Sequence, residues 1–158
     1  MYGDMLMTLG IFLFIGLAIG VLIAVFYLKN LQDLLKECDP SNVQMPPVNV
    51  WLMFIPLFNI VYGFIMYPKI TESIRREFES RNAPQEGDYL KALGMTMPIL
   101  NVVGLVPVQA LKGIVGLGSL VVFIIYWVKA AEFKNKLRSL PKADAAGVRF
   151  SDNPDLLD

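Results

Sequence analysis

The chain has 158 residues, of which 55% are hydrophobic and 18% charged, and its formal net charge at pH 7 is zero. A typical soluble domain has about 25% charged residues, so the composition disfavours a soluble enzyme. The single cysteine excludes an intrachain disulfide. The absence of histidine removes the commonest general base and metal ligand.

Four long stretches of the chain contain no charged residue. About 20 apolar residues suffice to cross the ~30 Å hydrocarbon layer of a membrane. We therefore predict an all-α membrane protein with four transmembrane helices and amphipathic extensions. A cleaved signal peptide is the weaker interpretation of the first stretch, because no basic residue precedes Met5. The predicted domain covers residues 1–140, with spans at 5–28, 48–67, 89–106 and 111–128, and a mobile polar tail follows at 141–158.

The first span carries three small residues at four-residue intervals, Gly16, Gly20 and Ala24. This spacing places them on one helix face, where small side chains let helix backbones approach closely in lipid. We predict a packing face, either within the subunit or between subunits. The alternative is that glycine is simply frequent in membrane helices.

The second and third spans share a Pro-x-x-Asn pattern, with Pro56 and Asn59 in one and Pro98 and Asn101 in the other. Proline removes a backbone hydrogen bond and kinks a helix, and an asparagine amide needs partners away from lipid. We expect kinks and polar contacts at these four residues, with the two asparagines as partners. Interrupted helices in corresponding positions also mark transporter sites, so a small channel or transporter unit is the alternative function.

Aromatic and basic residues predict where the chain meets the membrane surface. Trp51, Tyr126 and Trp127 are expected at the headgroup boundary, and Lys129 can extend its amine to water.

The distribution of basic residues predicts the orientation in the membrane. If all four segments cross, most Lys and Arg residues lie on the side of the two termini, so both termini are expected in the cytoplasm and Cys38 outside. One pattern disagrees, because Tyr27-Leu28-Lys29 resembles Tyr67-Pro68-Lys69 and the segment 126–129 but would lie on the opposite side. A re-entrant second segment removes this conflict and is the alternative.

Four short motifs stand out over about residues 30–138. They are Met45, Pro47, Val50, Trp51 and Leu52, then Ile55 to Asn59, then Ile70, Ser73, Ile74, Glu77 and Phe78, and finally Ile125 to Lys129. Together they resemble a family of small bacterial integral membrane proteins with no assigned activity, and the resemblance implies a bacterial membrane location. The chain departs from the family at Tyr62, where tryptophan is usual, and in its glycine-rich passage from the third span to the fourth.

The sequence contains no recognisable catalytic set. Apart from Lys91 and Lys112 at the starts of the third and fourth spans, no charged residue lies inside a predicted span, where such residues mark ion and proton paths. Cys38 has no histidine partner, and no phosphate-binding glycine loop is present. We predict no catalytic, cofactor-binding or metal-binding residue and no nucleic-acid partner. The expected function is a non-catalytic assembly or accessory module of the bacterial inner membrane, multi-pass, in contact with the lipid bilayer and with copies of itself or another membrane protein.

Overall fold

The computed structural model describes the backbone of residues 2–55, 57–107 and 109–142. Pro56 and most of the predicted tail, residues 143–158, lie outside the described residues. Within these ranges every regular element is helical, so the predicted all-α class is confirmed for this part of the chain. The elements are α1 (Tyr2–Lys36), a 3-10 helix (Pro47–Phe54), α2 (Phe58–Ser80), α3 (Lys91–Gly104) and α4 (Gln109–Ser139).

The prediction of four transmembrane helices is wrong. Only two helices of the described chain are long and apolar enough to cross a membrane, at Gly3–Lys36 and Lys112–Ser139. The second predicted span, 48–67, is divided between the 3-10 helix and the start of α2, and Leu57 between them has a left-handed φ of 62°. The third, α3, has 14 residues and is about 21 Å long at 1.5 Å per residue, short of the ~30 Å required.

Local interactions set the limits of α3. The Asp88 carboxylate accepts hydrogen bonds from the backbone amides of Leu90 (3.1 Å) and Ala92 (2.7 Å) and thereby caps the helix start. At the other end, Pro107 follows shortly after the last helical residue, and proline disfavours helical backbone in the residue before it. The apolar sequence continues past Gly104 to Val106, but the helix does not.

The core lies where the C-terminal halves of α1, α2 and α4 pack together. Apolar residues repeat at helical spacing in each half, and this periodicity gives each helix one buried face. Burial of these faces is the main source of stability in this part of the chain. The fully buried members are Leu31, Leu34 and Leu35 of α1, Ile70, Ile74 and Phe78 of α2, and Tyr126 and Ala130 of α4.

The three longest helices end at the same end of the molecule. Arg81, directly after α2, donates hydrogen bonds to the carbonyl oxygens of Glu37 after α1 and of Leu137 in the last turn of α4. We call this region the charged end. At the opposite end, every residue from 3 to 23 of α1 is exposed. The N-terminal half of α1 therefore extends beyond the packed core.

Candidate functional site

Three tyrosines, one from each long helix, meet where the core begins. The hydroxyl groups of Tyr27 and Tyr67 lie 3.0 Å apart and share a hydrogen bond. The ring of Tyr126 stands edge-on to Tyr67, with 5.1 Å between centroids, and 6.4 Å from Tyr27. All three side chains are buried. We call Tyr27, Tyr67 and Tyr126 the tyrosine cluster. The cluster lies at the same depth along the axes of α1, α2 and α4, and we call this depth the level of the tyrosine cluster.

A cavity of about 470 Å³ lies directly against this cluster, on the side away from the charged end. Both asparagines of the Pro-x-x-Asn pattern, Asn59 and Asn101, line it. We call it the asparagine cavity. All five elements contribute to the lining. The remaining lining residues are Gly20, Ile23, Ala24, Tyr27, Leu28, Met53, Phe54, Tyr67, Met97, Gly116, Ser119, Leu120 and Phe123.

The lining combines apolar walls with a few polar groups. Hydrogen-bonding groups come from Asn59, Asn101, Ser119 and the two tyrosine hydroxyls, and no lining residue of the described chain is charged. Although the asparagines share the cavity, no hydrogen bond of their side chains, to each other or to another described residue, is present. Such a site can hold and orient a neutral molecule, and none of its described lining residues carries a carboxylate, an amine or a thiol.

The predicted packing face and the actual close contacts lie on different helices. A Cβ atom added to Gly16 or Gly20 would meet no atom within 4 Å, and Gly20 and Ala24 face the cavity. Among the described glycines, the closest contacts are instead between α2 and α3. There, a Cβ at Gly94 would lie 3.0 Å from Cβ of Tyr67.

Pro98 has a packing role in this α2–α3 contact. It lies inside α3 and is buried. Its Cβ would be 3.1 Å from a Cβ atom added to Gly63 of α2. The sequence singled out Pro98 as a kink, but gave no signal that Gly63 lies opposite it.

The predicted interface anchors lie near the tyrosine cluster. Trp51 donates a hydrogen bond from Nε1 to Oε1 of Gln32, at 3.2 Å, just beyond Tyr27 on α1. The ring of Trp127 stands edge-on to Tyr27 at 5.9 Å. Tyr126 belongs to the cluster itself, and Lys129 is exposed on the side of the charged end. The aromatic residues thus form one level, as an interfacial belt would.

A buried ion pair fixes the charged end. The side chains of Glu77 and Arg81 are each 3% exposed and 2.7 Å apart. Arg81 also donates to the carbonyls of Glu37, Leu137 and Leu140, where the negative ends of the α1 and α4 dipoles favour a cation. Oε2 of Glu77 accepts from the Asp39 amide at 2.7 Å. We call this arrangement the arginine node.

The arginine node could not be predicted from the sequence, because charged residues beyond a span usually lie in solvent. A second cavity, of about 590 Å³, adjoins the node and is lined in part by Cys38, Glu77 and Arg81. Burial, and after it the charge of Glu77, raises the pKa of the Cys38 thiol to about 12. Cys38 therefore stays protonated and unreactive at neutral pH.

No family model, no curated protein and no solved structure matches this chain.

Proposed function

We propose that the chain is a multi-pass protein of the bacterial cytoplasmic membrane that acts, without catalysis, as an assembly module for membrane helices. Its membership of the small bacterial membrane protein family that it resembles is part of this proposal. Two long apolar helices support insertion into the bilayer. Large apolar side chains are also exposed along α1, the start of α2 and α4, on a scale far beyond the patches tolerated in water.

The level of the tyrosine cluster supports a particular orientation. The helices α1, α2 and α4 each reach the charged end soon after their tyrosine, and every described Lys and Arg except Lys112 lies at or beyond this level. Positive residues favour the cytoplasm, so the charged end is cytoplasmic. The prediction that both termini are cytoplasmic required four complete spans. The common tyrosine level favours the re-entrant alternative, with the N-terminus outside and Cys38 on the cytoplasmic side.

The observation that carries the assembly function is the unpartnered half of α1. Residues 3–23 are exposed on every face of the helix, although Gly16, which lies outside the lining of the asparagine cavity, offers a site for close backbone approach. In lipid, helices associate through packing of small residues rather than through a hydrophobic driving force. We therefore propose that this half of α1 packs against the same half of a second copy.

Disulfide crosslinking tests this assembly. In a Cys38→Ser background, Gly10→Cys should crosslink copies in native membranes, while exposed Ser139→Cys at the charged end serves as the matched control. Adding Gly16→Leu should lower crosslinking at position 10, because the larger side chain keeps the backbones apart. Equal crosslinking at positions 10 and 139, or none together with a monomeric mass in detergent, contradicts self-assembly.

One observation favours a second candidate, a small transport unit. Asn59 and Asn101, from different helices, line the same cavity, as expected where interrupted helices form a binding site. A flux through reconstituted vesicles that is abolished by Asn59→Leu, in protein that remains folded, would replace the assembly function with transport.

A further inference from the structure

We infer that the asparagine cavity binds an uncharged, lipid-soluble molecule that carries hydrogen-bonding oxygen atoms. This inference rests on the membrane insertion proposed above, but not on self-assembly. The cavity volume, about 470 Å³, falls within the range of roughly 300–1,000 Å³ typical of small-molecule pockets.

Entry to the cavity is from the side of the apolar helices. Three lining residues from three elements are exposed at its rim, Ile23 of α1 (43%), Phe54 of the 3-10 helix (40%) and Leu120 of α4 (54%). The tyrosine cluster closes the cavity toward the charged end. A molecule that enters past these three side chains comes from the bilayer, so it must be soluble in lipid.

The interior selects against charge. No described lining residue is charged, and a charged group at membrane depth without a counter-charge costs several kcal/mol. An ion or an ionised headgroup inside the cavity would have no partner of opposite sign. The part of the ligand that enters is therefore neutral.

The polar lining selects for oxygen atoms. The amide NH₂ group of an asparagine can donate two hydrogen bonds, yet the side chains of Asn59 and Asn101 bind no other described residue. Tyr27 and Tyr67 together carry two hydroxyl protons, and their mutual hydrogen bond uses one. A pure hydrocarbon would leave these donors unsatisfied at a cost in free energy, whereas carbonyl, ester or hydroxyl oxygens would accept from them.

The chemistry of the lining argues against a transmembrane helix of a second copy as occupant. Residues 9–26 of α1, the apolar segment of that helix, carry no side-chain oxygen or nitrogen, so such a helix would leave the donors of Asn59 and Asn101 unsatisfied. A chain-like or compact lipid-soluble molecule with oxygen atoms would accept from them.

Photolabelling in nanodiscs tests the inference on the full chain. Two diazirine probes of equal chain length are compared, a monoacylglycerol, which is neutral and rich in oxygen, and a plain alkane. Labelled sites are mapped by mass spectrometry. The monoacylglycerol probe should label residues 20–28 and 116–123 saturably, and excess monoacylglycerol without the diazirine should compete. Asn59→Leu and Asn101→Leu should each weaken its binding about fivefold, as expected for the loss of one hydrogen bond.

Gly116→Leu and Gly113→Leu form a matched pair on α4. Neither glycine has an atom within 4 Å of an added Cβ, so both variants should fold, but only Gly116 lines the cavity. Gly116→Leu should abolish saturable labelling and Gly113→Leu should preserve it. Unchanged labelling in Gly116→Leu, or equal labelling by the alkane, overturns the inference and identifies the cavity as ordinary lipid-facing surface.

Two further measurements separate the remaining explanations. If carbonate extracts the protein from membranes, the proposed membrane insertion itself fails. If the inserted protein is not labelled, and Gly116→Cys in the Cys38→Ser background crosslinks two copies, a helix of a second copy fills the cavity and the ligand inference is overturned.

Discussion

The hydroxyl oxygens of Tyr27 and Tyr67 lie 3.0 Å apart, although the two residues are separated by 40 positions in the chain. Both helices continue from these tyrosines toward the charged end. The intervening chain must therefore leave the charged end and return to it. The 3-10 helix and the first turns of α2 accomplish this without crossing to the far end of α1.

The tyrosine pair should show measurable coupling. Tyr27→Phe and Tyr67→Phe remove the same buried hydrogen bond, so the double variant should lose less stability than the sum of the single losses, with a coupling of about 0.5–1.5 kcal/mol. Unfolding in detergent provides the measurement. Tyr62 provides the control, because its hydroxyl donates to the Asn49 carbonyl at 3.0 Å and not to another tyrosine. The stability losses of Tyr62→Phe and Tyr27→Phe should therefore be additive. Strict additivity of the Tyr27 and Tyr67 changes would show that the hydrogen bond is absent.

Loss of the guanidinium from the arginine node should strongly lower the free energy of unfolding. Arg81→Gln leaves the Glu77 carboxylate buried without its counter-charge, and breaking one side of such a pair costs about 3–5 kcal/mol. Arg75 pairs with Glu72 and Glu79 on the exposed surface of the same helix, where ion pairs contribute up to about 1 kcal/mol. Arg75→Gln is therefore the control. Similar unfolding midpoints for the two variants would contradict the role assigned to Arg81.

Valine at Gly94 should disturb the contact between α2 and α3. An added Cβ would lie 3.0 Å from Cβ of Tyr67 and 3.3 Å from Cε2 of Tyr126, and such overpacking costs about 1–3 kcal/mol. Gly113→Val, at a helical position with open space, controls for the intrinsic helix preference of valine. Thermal unfolding of both proteins gives the comparison, and an undisturbed Gly94→Val protein would rule out close packing there.

The Cys38 thiol should resist alkylation in the folded protein. Its pKa, raised to about 12 mainly by burial, keeps it neutral at pH 7, and only the thiolate reacts. Unfolding in SDS returns the pKa toward its ordinary value and should accelerate reaction with iodoacetamide at least about a hundredfold. Ser139→Cys in a Cys38→Ser background, exposed at the charged end, should react rapidly in both states. Equal rates for native and unfolded Cys38 would contradict its burial.

The helical class and the buried faces could be predicted because they depend on local periodicity. Ile70, Ile74 and Phe78 repeat at four-residue intervals and are fully buried. The number of spans could not be predicted from hydropathy, which is the same for a helix that crosses and for a chain that turns back. The three Tyr-x-Lys-like motifs contained the missing information, because their similarity indicated a common level.

The candidate site was predictable only in part. Asn59 and Asn101 stood out because amides are unusual in apolar segments, and both line one cavity. Gly63 and Gly94 did not stand out, since a glycine becomes a contact point only through the residue opposite it. The role of Arg81 was not predictable for the same reason, because apart from Glu77 its acceptors are backbone carbonyls far away in the chain.

The arginine node can be completed only late in the biosynthesis of this protein. Arg81 is synthesised 44 residues after Glu37, and the carbonyl of Leu137 follows a further 56 residues later. A nascent chain that has emerged only through α3 therefore holds a guanidinium with part of its acceptors, still open to water. The last turn of α4 supplies a further acceptor for Arg81, the Leu137 carbonyl, and closes the charged end. A chain truncated before Leu137 would keep α1, α2 and α3 but would lack the α4 carbonyl group that accepts from Arg81. Its charged end would stay open, and quality-control proteases could distinguish this form from the finished protein.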